Sequence, residues 1–176
     1  MQLEQLRELV RRAAATCARR EFVMFGSQAI HAVASSPPPE VLVSAECHLW
    51  LRDEPEVAAR LAAELGKDSA FAKAAGVYAD ALPPDLPMVP PGWEERLLDL
   101  MIDDIKVRCL EIHDLIVSKL AAGRLKDYEF IAAVLLAKLA RKDEVILRIQ
   151  AFREPHTQAG LLARLRIATE ATDVQL

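Results

Sequence analysis

The chain has 176 residues, 52% hydrophobic and 27% charged, which suits one globular domain or one domain with a helical appendage. Its net charge of -4 excludes a broadly basic nucleic-acid-binding surface and leaves only local basic stretches at Arg11-Arg12, Arg19-Arg20 and Arg164 with Arg166. The three cysteines, Cys17, Cys47 and Cys109, stand singly, which fits neither a disulfide framework nor a zinc spacing, so they read as reduced thiols with Cys47 and Cys109 in the core.

Leu3, Leu6, Leu9, Val10 and Ala13 recur at helical spacing and predict an amphipathic helix over residues 2–19. Residues 22–25 then read as a short buried strand. Gly26 supplies a tight exit, and Ser27 begins a helix with Ala29, Ile30 and Val33 turned inward. Ser35-Ser36-Pro37-Pro38-Pro39 ends it, because proline lacks the amide donor and disfavours helical geometry before it. A second strand is expected at 41–43 and a third at 47–51. A helix over 55–65 follows, opened by Pro55 and closed by Gly66.

Five prolines crowd into residues 81–92 and make that stretch a loop. Residues 96–110 read as two strands around a turn at Asp103-Asp104, with Ile105, Val107 and Cys109 alternating against Lys106 and Arg108. From Asp114 the pattern is helical. Asp114 is expected to cap a helix ending near Gly123, followed by helices over 126–139, 143–152 and 158–169. Strand, helix and strand alternation predicts an α/β fold, with a helical second half beside the sheet.

Two stretches carry chemistry. Phe25-Gly26-Ser27 offers backbone donors and a hydroxyl to a phosphate, and 115–127 brings Lys119, Arg124, Lys126 and Asp127 together to complete a nucleotide site. His31 stands about one turn after Ser27 and is a candidate for the same cleft. His113-Asp114 reads as helix-start chemistry, and Trp93 and Tyr78 are candidates either for stacking on a base or for packing under the proline-rich loop.

An ordered series extends these motifs: Phe25-Gly26-Ser27-Gln28-Ala29-Ile30, Val43-Ser44-Ala45-Glu46-Cys47-His48-Leu49, Gly76-Val77-Tyr78-Ala79-Asp80, Pro91-Gly92-Trp93-Glu94-Glu95-Arg96-Leu97, and Cys109-Leu110-Glu111-Ile112-His113-Asp114-Leu115 through Asp127-Tyr128-Glu129-Phe130. Over about residues 22–135 it resembles a bacterial family of nucleotidyltransferase-like proteins of unassigned function, similar to the toxins of abortive-infection toxin–antitoxin systems. The resemblance implies a nucleotidyltransferase-like mixed β-sheet flanked by helices. It divides the chain into an α/β core at 1–112 and a helical C-terminal region at 113–176 packed on that core.

It also implies site roles. Gly26, Ser27, Lys119 and Arg124 would hold the nucleotide, and Glu46, His48 and Asp127 would form the catalytic set. Glu46 and His48 would stand at the two metal-ligand positions of an acidic-x-acidic pattern, on one strand face two residues apart. Magnesium or manganese would be the cofactor and a nucleoside triphosphate the substrate. His48 stands where the resemblance leads one to expect Asp, and imidazole suits zinc or manganese better than magnesium.

Two functions remain open on these residues. One is a metal-dependent nucleotidyltransferase acting on RNA, tRNA above all, or on a protein, as part of a toxin–antitoxin pair with a cognate antitoxin. The other is a catalytically degenerate fold that binds a nucleotide or a partner. No apolar run reaches the length of a membrane span, and the N-terminus lacks signal-peptide features, so a cytoplasmic protein without membrane contact is expected.

Overall fold

The computed structural model of the protein describes residues 1–51, 54–82 and 87–173. Helix α1, Leu3–Cys17, buries Leu6, Leu9, Val10, Ala13 and Cys17 on one face. Each leucine so buried contributes about 2 kcal/mol relative to an exposed one. Ala18, in the left-handed region at φ 51°, ends the helix and turns the chain into strand β1, Glu21–Phe25.

Strands β2 (Glu46–Trp50), β3 (Tyr78–Leu82), β4 (Leu98–Ile102) and β5 (Ile105–Cys109) complete a five-stranded sheet in the order β3-β2-β1-β5-β4. The sheet is mixed, as expected. β1 runs antiparallel to β2 and parallel to β5, β2 runs parallel to β3, and β4 and β5 form an antiparallel hairpin around Asp103-Asp104. Alternation along β2 sends Cys47 and Leu49 into the core and leaves Glu46, His48 and Trp50 on the opposite face.

Helix α2 (Pro55–Leu65) packs against α1 and β3, while α1 reaches across β3, β4 and β5. The short helix α3, Ala70–Ala75, leads into β3 through Gly76. After β5 come α4 (Ile112–Ala122), α5 (Leu125–Leu136), α6 (Lys142–Gln150) and α7 (Pro155–Asp173), which pack on one another. α4 also touches the turn that follows β1, and α5 touches the turn at Pro39–Val41. The end of α4 and the start of α5 are thereby brought to the Glu46 and His48 side of β2. Among the described residues no helix is long and apolar enough to cross a membrane.

Four sequence expectations are corrected. Residues 41–43 are not a strand: Pro39–Val41 is a 3-10 turn, and Val43 is 77% exposed. The three prolines at 37–39 set turn geometry just ahead of this segment, and Val41 enters the core with Leu42 packed against it. The helix expected at Ser27 is a six-residue 3-10 segment, Ser27–Ala32, with Gln28, Ala29, Ile30 and His31 all buried. Four consecutive buried residues leave no polar face, which an amphipathic α-helix in this position would require.

Asp114 does not cap α4. Glu111 does, accepting bonds from the amides of His113 at 3.0 Å and Asp114 at 3.4 Å. Asp114 is instead fully buried, bound by both Nε and Nη2 of Arg96 and paired with Arg148. His31 points away from the cleft and meets the Met1 carbonyl oxygen at 3.1 Å. Of the proline-rich loop, residues 83–86 lie outside the described residues.

Candidate functional site

β1 runs straight into Gly26, whose φ of 75° and ψ of −169° suit glycine alone. The backbone there passes so close to β2 that a Cβ on Gly26 would lie 2.7 Å from His48 Nδ1. This close approach sets the next residue at the mouth of the sheet. Ser27 Oγ accepts a 2.9 Å hydrogen bond from Lys119 Nζ, brought from the last turn of α4.

Lys119 is 6% exposed. Its ammonium lies 3.2 Å from Asp127 Oδ1 and 4.2 Å from the centre of the Phe130 ring, both on α5. Burial lowers the Lys119 pKa from its ordinary value, and Asp127 only partly offsets this. Asp127 is itself fully buried and held by Arg124, with Nε at 2.7 Å from Oδ2 and Nη2 at 3.3 Å from Oδ1. It is the third residue of α5, not the residue before its first turn, and reaches back to the Arg124 amide at 3.3 Å. Burial opposes its ionisation, but Arg124 and Lys119 outweigh burial and hold its carboxyl below the usual range.

On β2, Glu46 and His48 share a face, as the alternation requires. The parallel register of β2 and β3 sets Tyr78 beside Glu46 and Asp80 beside His48. Tyr78 donates to Glu46 Oε2 at 3.2 Å, and Lys126 on α5 donates to Oε1 at 2.8 Å. Burial raises the Glu46 pKa less than Lys126, His48 and Tyr78 lower it, so the carboxylate is stabilised. Asp80 Oδ2 lies 3.7 Å from His48 Nε2. Burial still keeps the imidazole pKa below its ordinary value, against the pull of Glu46 and Asp80.

Two cavities meet at Lys119. One, of about 200 Å³, is lined by Ser27, Ser44, Glu46, Tyr78, Lys119 and Lys126. The other, of about 280 Å³, is lined by Gly26, His48, Leu82, Ser118, Lys119 and Arg124. The residues to which the resemblance gives nucleotide, metal or catalytic roles, Gly26, Ser27, Glu46, His48, Lys119, Arg124 and Asp127, lie in or directly behind this pair of cavities. Trp93 does not: it packs on Phe25 and Trp50, 5.2 and 5.8 Å away between ring centres.

Residues 60–158, more than half of the chain, match the family described as nucleotidyltransferase of unknown function (DUF6036). The chain belongs to that family. Comparison with curated proteins and with solved structures found no match. In this DUF6036 protein the matched stretch holds Tyr78, Asp80, Lys119, Arg124 and Asp127, while Gly26, Ser27, Glu46 and His48 precede it.

Asp80 and the Glu46 contact of Tyr78 were missed from sequence. The signal lay in Tyr78-x-Asp80, which repeats the two-residue spacing of Glu46-x-His48 and so presents both side chains to one face once the strands pair.

Divalent metal fits this donor set poorly. Both Glu46 oxygens are engaged, by Lys126 and Tyr78, while the Nδ1 side of His48 faces Gly26 and its Nε2 lies 3.7 Å from Asp80 Oδ2. Among the described residues no group of three or more His, Cys, Asp or Glu side chains is placed to hold a metal. Magnesium needs several convergent oxygens. The arrangement instead offers an anion the Ser27 hydroxyl and the ammonium groups of Lys119 and Lys126, in a small cavity that the carboxylates of Glu40 and Glu46 also line, with a guanidinium in the neighbouring cavity.

Proposed function

We propose that this protein binds the phosphate chain of a nucleoside triphosphate at Ser27 and Lys119 and transfers the nucleoside monophosphate to a hydroxyl of RNA, tRNA first, or of a protein. One observation carries the reading: Lys119, a buried lysine, aims its ammonium at the Ser27 hydroxyl in a cavity beside a glycine turn. Burying an ammonium at a cavity wall is costly, and Asp127, itself positioned by Arg124, offsets only part of that cost, which leaves a phosphate room to contribute the rest. Membership of a nucleotidyltransferase family supports the same reaction class.

In the transfer the acceptor oxygen bonds to the α-phosphorus, the bond from that phosphorus to the bridging oxygen of the β-phosphate breaks, and pyrophosphate leaves. Charge spreads over the phosphate oxygens, and Lys119 and Arg124 stabilise it without reorganising. The hydroxyl proton passes to neutral His48, whose imidazolium form Asp80 stabilises. The RNA or protein acceptor and a toxin–antitoxin setting rest on the likeness of the motif series to such toxins.

A second reading, a nucleotide- or partner-binding module such as one held by an antitoxin, is favoured by the engagement of both Glu46 oxygens. Incubation with each radiolabelled nucleoside triphosphate and total RNA, in magnesium, in manganese and in EDTA, separates the two. Labelled RNA or protein from wild type, lost in Lys119→Ala and reduced in Glu46→Ala, establishes a transferase. Nucleotide binding without labelling, in wild type and in His48→Asp alike, leaves the binding module.

A further inference from the structure

The acidic residue of β2 already has a cation. Lys126 Nζ sits 2.8 Å from Glu46 Oε1, on the wall of the cavity that Ser27 and Lys119 also line. The other Glu46 oxygen takes the Tyr78 hydroxyl at 3.2 Å. Lys126 is the second residue of α5, one position before Asp127, so the helix start that fixes Asp127 behind Lys119 also fixes Lys126 over Glu46. Its side chain is 48% exposed, which leaves ammonium donors free to face the cavity.

From this geometry we infer that Lys126 takes the place of a divalent metal on Glu46, and that the site binds a triphosphate without metal, between the ammonium groups of Lys119 and Lys126. The inference rests on the phosphate-binding reading above. A divalent ion at a phosphate site neutralises charge and bridges carboxylate to phosphate. An ammonium that holds a carboxylate with one donor and offers two more does the same electrostatic work at lower charge. Arg124 adds a further cation at the adjoining cavity. A metal arriving at Glu46 would have to displace Lys126, and the nearest further ligand, His48 Nε2, faces Asp80 Oδ2 at 3.7 Å.

The test is isothermal titration of the full chain with ATP and with inorganic triphosphate, in excess EDTA and in magnesium, together with manganese binding read by electron paramagnetic resonance. Wild type is expected to bind both ligands with affinities that EDTA leaves unchanged within about twofold, and Lys126→Gln to bind about tenfold more weakly in EDTA, the loss of one charge-assisted contact. Freed of its tethered cation, Glu46 in Lys126→Gln is expected to bind manganese more tightly than wild type does. Triphosphate binding by wild type that vanishes in EDTA and returns with magnesium overturns the inference while leaving the phosphate site intact. Tight manganese binding by wild type, not improved in Lys126→Gln, overturns it as well. Absence of binding under every condition, in a chain whose circular dichroism and melting are native, overturns the phosphate-binding reading and this inference with it.

Discussion

Lys119 on α4 donates to Ser27 at the end of β1 across 92 residues of sequence, at 2.9 Å. The bond joins the helical half to the sheet at the point where the two cavities meet. The same ammonium rests on Asp127 and over Phe130, so it is held from three sides. Replacement Lys119→Met keeps most of the volume and removes the charge, while Arg124 continues to neutralise Asp127. Triphosphate affinity is expected to fall about tenfold or more, and stability by about 1–3 kcal/mol, the cost of one buried charged contact. Calorimetric titration and urea unfolding measure the two effects separately. A loss of stability with unchanged affinity would make Lys119 a structural residue only.

Asp114 anchors the bundle in the same manner without facing the cleft. Its fully buried carboxylate meets Arg96, at 2.9 and 3.0 Å, and Arg148, at 3.2 Å. Asp114→Ala removes the carboxylate that joins Arg96 to Arg148, leaving Arg96 the Pro91 carbonyl and Arg148 the Glu144 carboxylate, and is expected to cost roughly 3 kcal/mol, as breaking a buried ion pair does. The exposed pair Arg141 and Asp143 provides the contrast, and Asp143→Ala is expected to leave the urea midpoint unchanged. Equal effects of the two substitutions would contradict the anchoring role of Asp114.

The elements legible in sequence were those with strong periodicity or punctuation. α1 shows its stripe in Leu6, Leu9, Val10 and Ala13, α2 its bounds in Pro55 and Gly66, and the β4–β5 hairpin its turn in Asp103-Asp104. β3 lacked such a signal. Tyr78-Ala79-Asp80-Ala81-Leu82 carries small alanines at alternate positions, so little contrast marks its inner face, yet its parallel pairing with β2 brings Asp80 to His48. The role of Asp114 was illegible for a different reason. Near a helix start an aspartate reads as a cap, and only the fold brings Arg96 and Arg148 to it from 18 residues before and from α6 after. Lys126 over Glu46 likewise depends on how α5 docks, which no local pattern encodes.

Gly26 is constrained twice, by its positive φ and by the His48 ring 2.7 Å from where a Cβ would stand. Gly26→Ala is expected to destabilise by about 2–4 kcal/mol, combining backbone strain with overpacking. In a His48→Ala background the contact disappears and the strain remains, so the same substitution is expected to cost less by about 1 kcal/mol or more. A double-mutant cycle in urea measures the difference. Strict additivity would show that the two residues do not press on each other.

Acid sensitivity follows from two imidazoles, the buried His31 and the half-buried His48. Burial disfavours the cations of His48 and His31 and puts both folded pKa values below the ordinary one, despite Glu46 and Asp80 near the first and the Met1 carbonyl near the second. The unfolded chain therefore takes up protons first as pH falls through about 6.5, and stability declines from there down to the folded values, up to about 1.4 kcal/mol per pH unit for each histidine. Asp127 and Glu46 act lower down: their carboxyl pKa values are depressed, so their contribution is complete above the ordinary carboxylate range and is lost as pH drops below about 4. Urea unfolding at pH 7.5, 6.5 and 5.5 is expected to show wild type losing stability on each step, with shallower losses in His48→Gln and in His31→Gln. A gain in stability on acidification through this range would mean that Glu46 and Asp80 hold His48 as a cation in the folded protein, and that it cannot accept the acceptor proton.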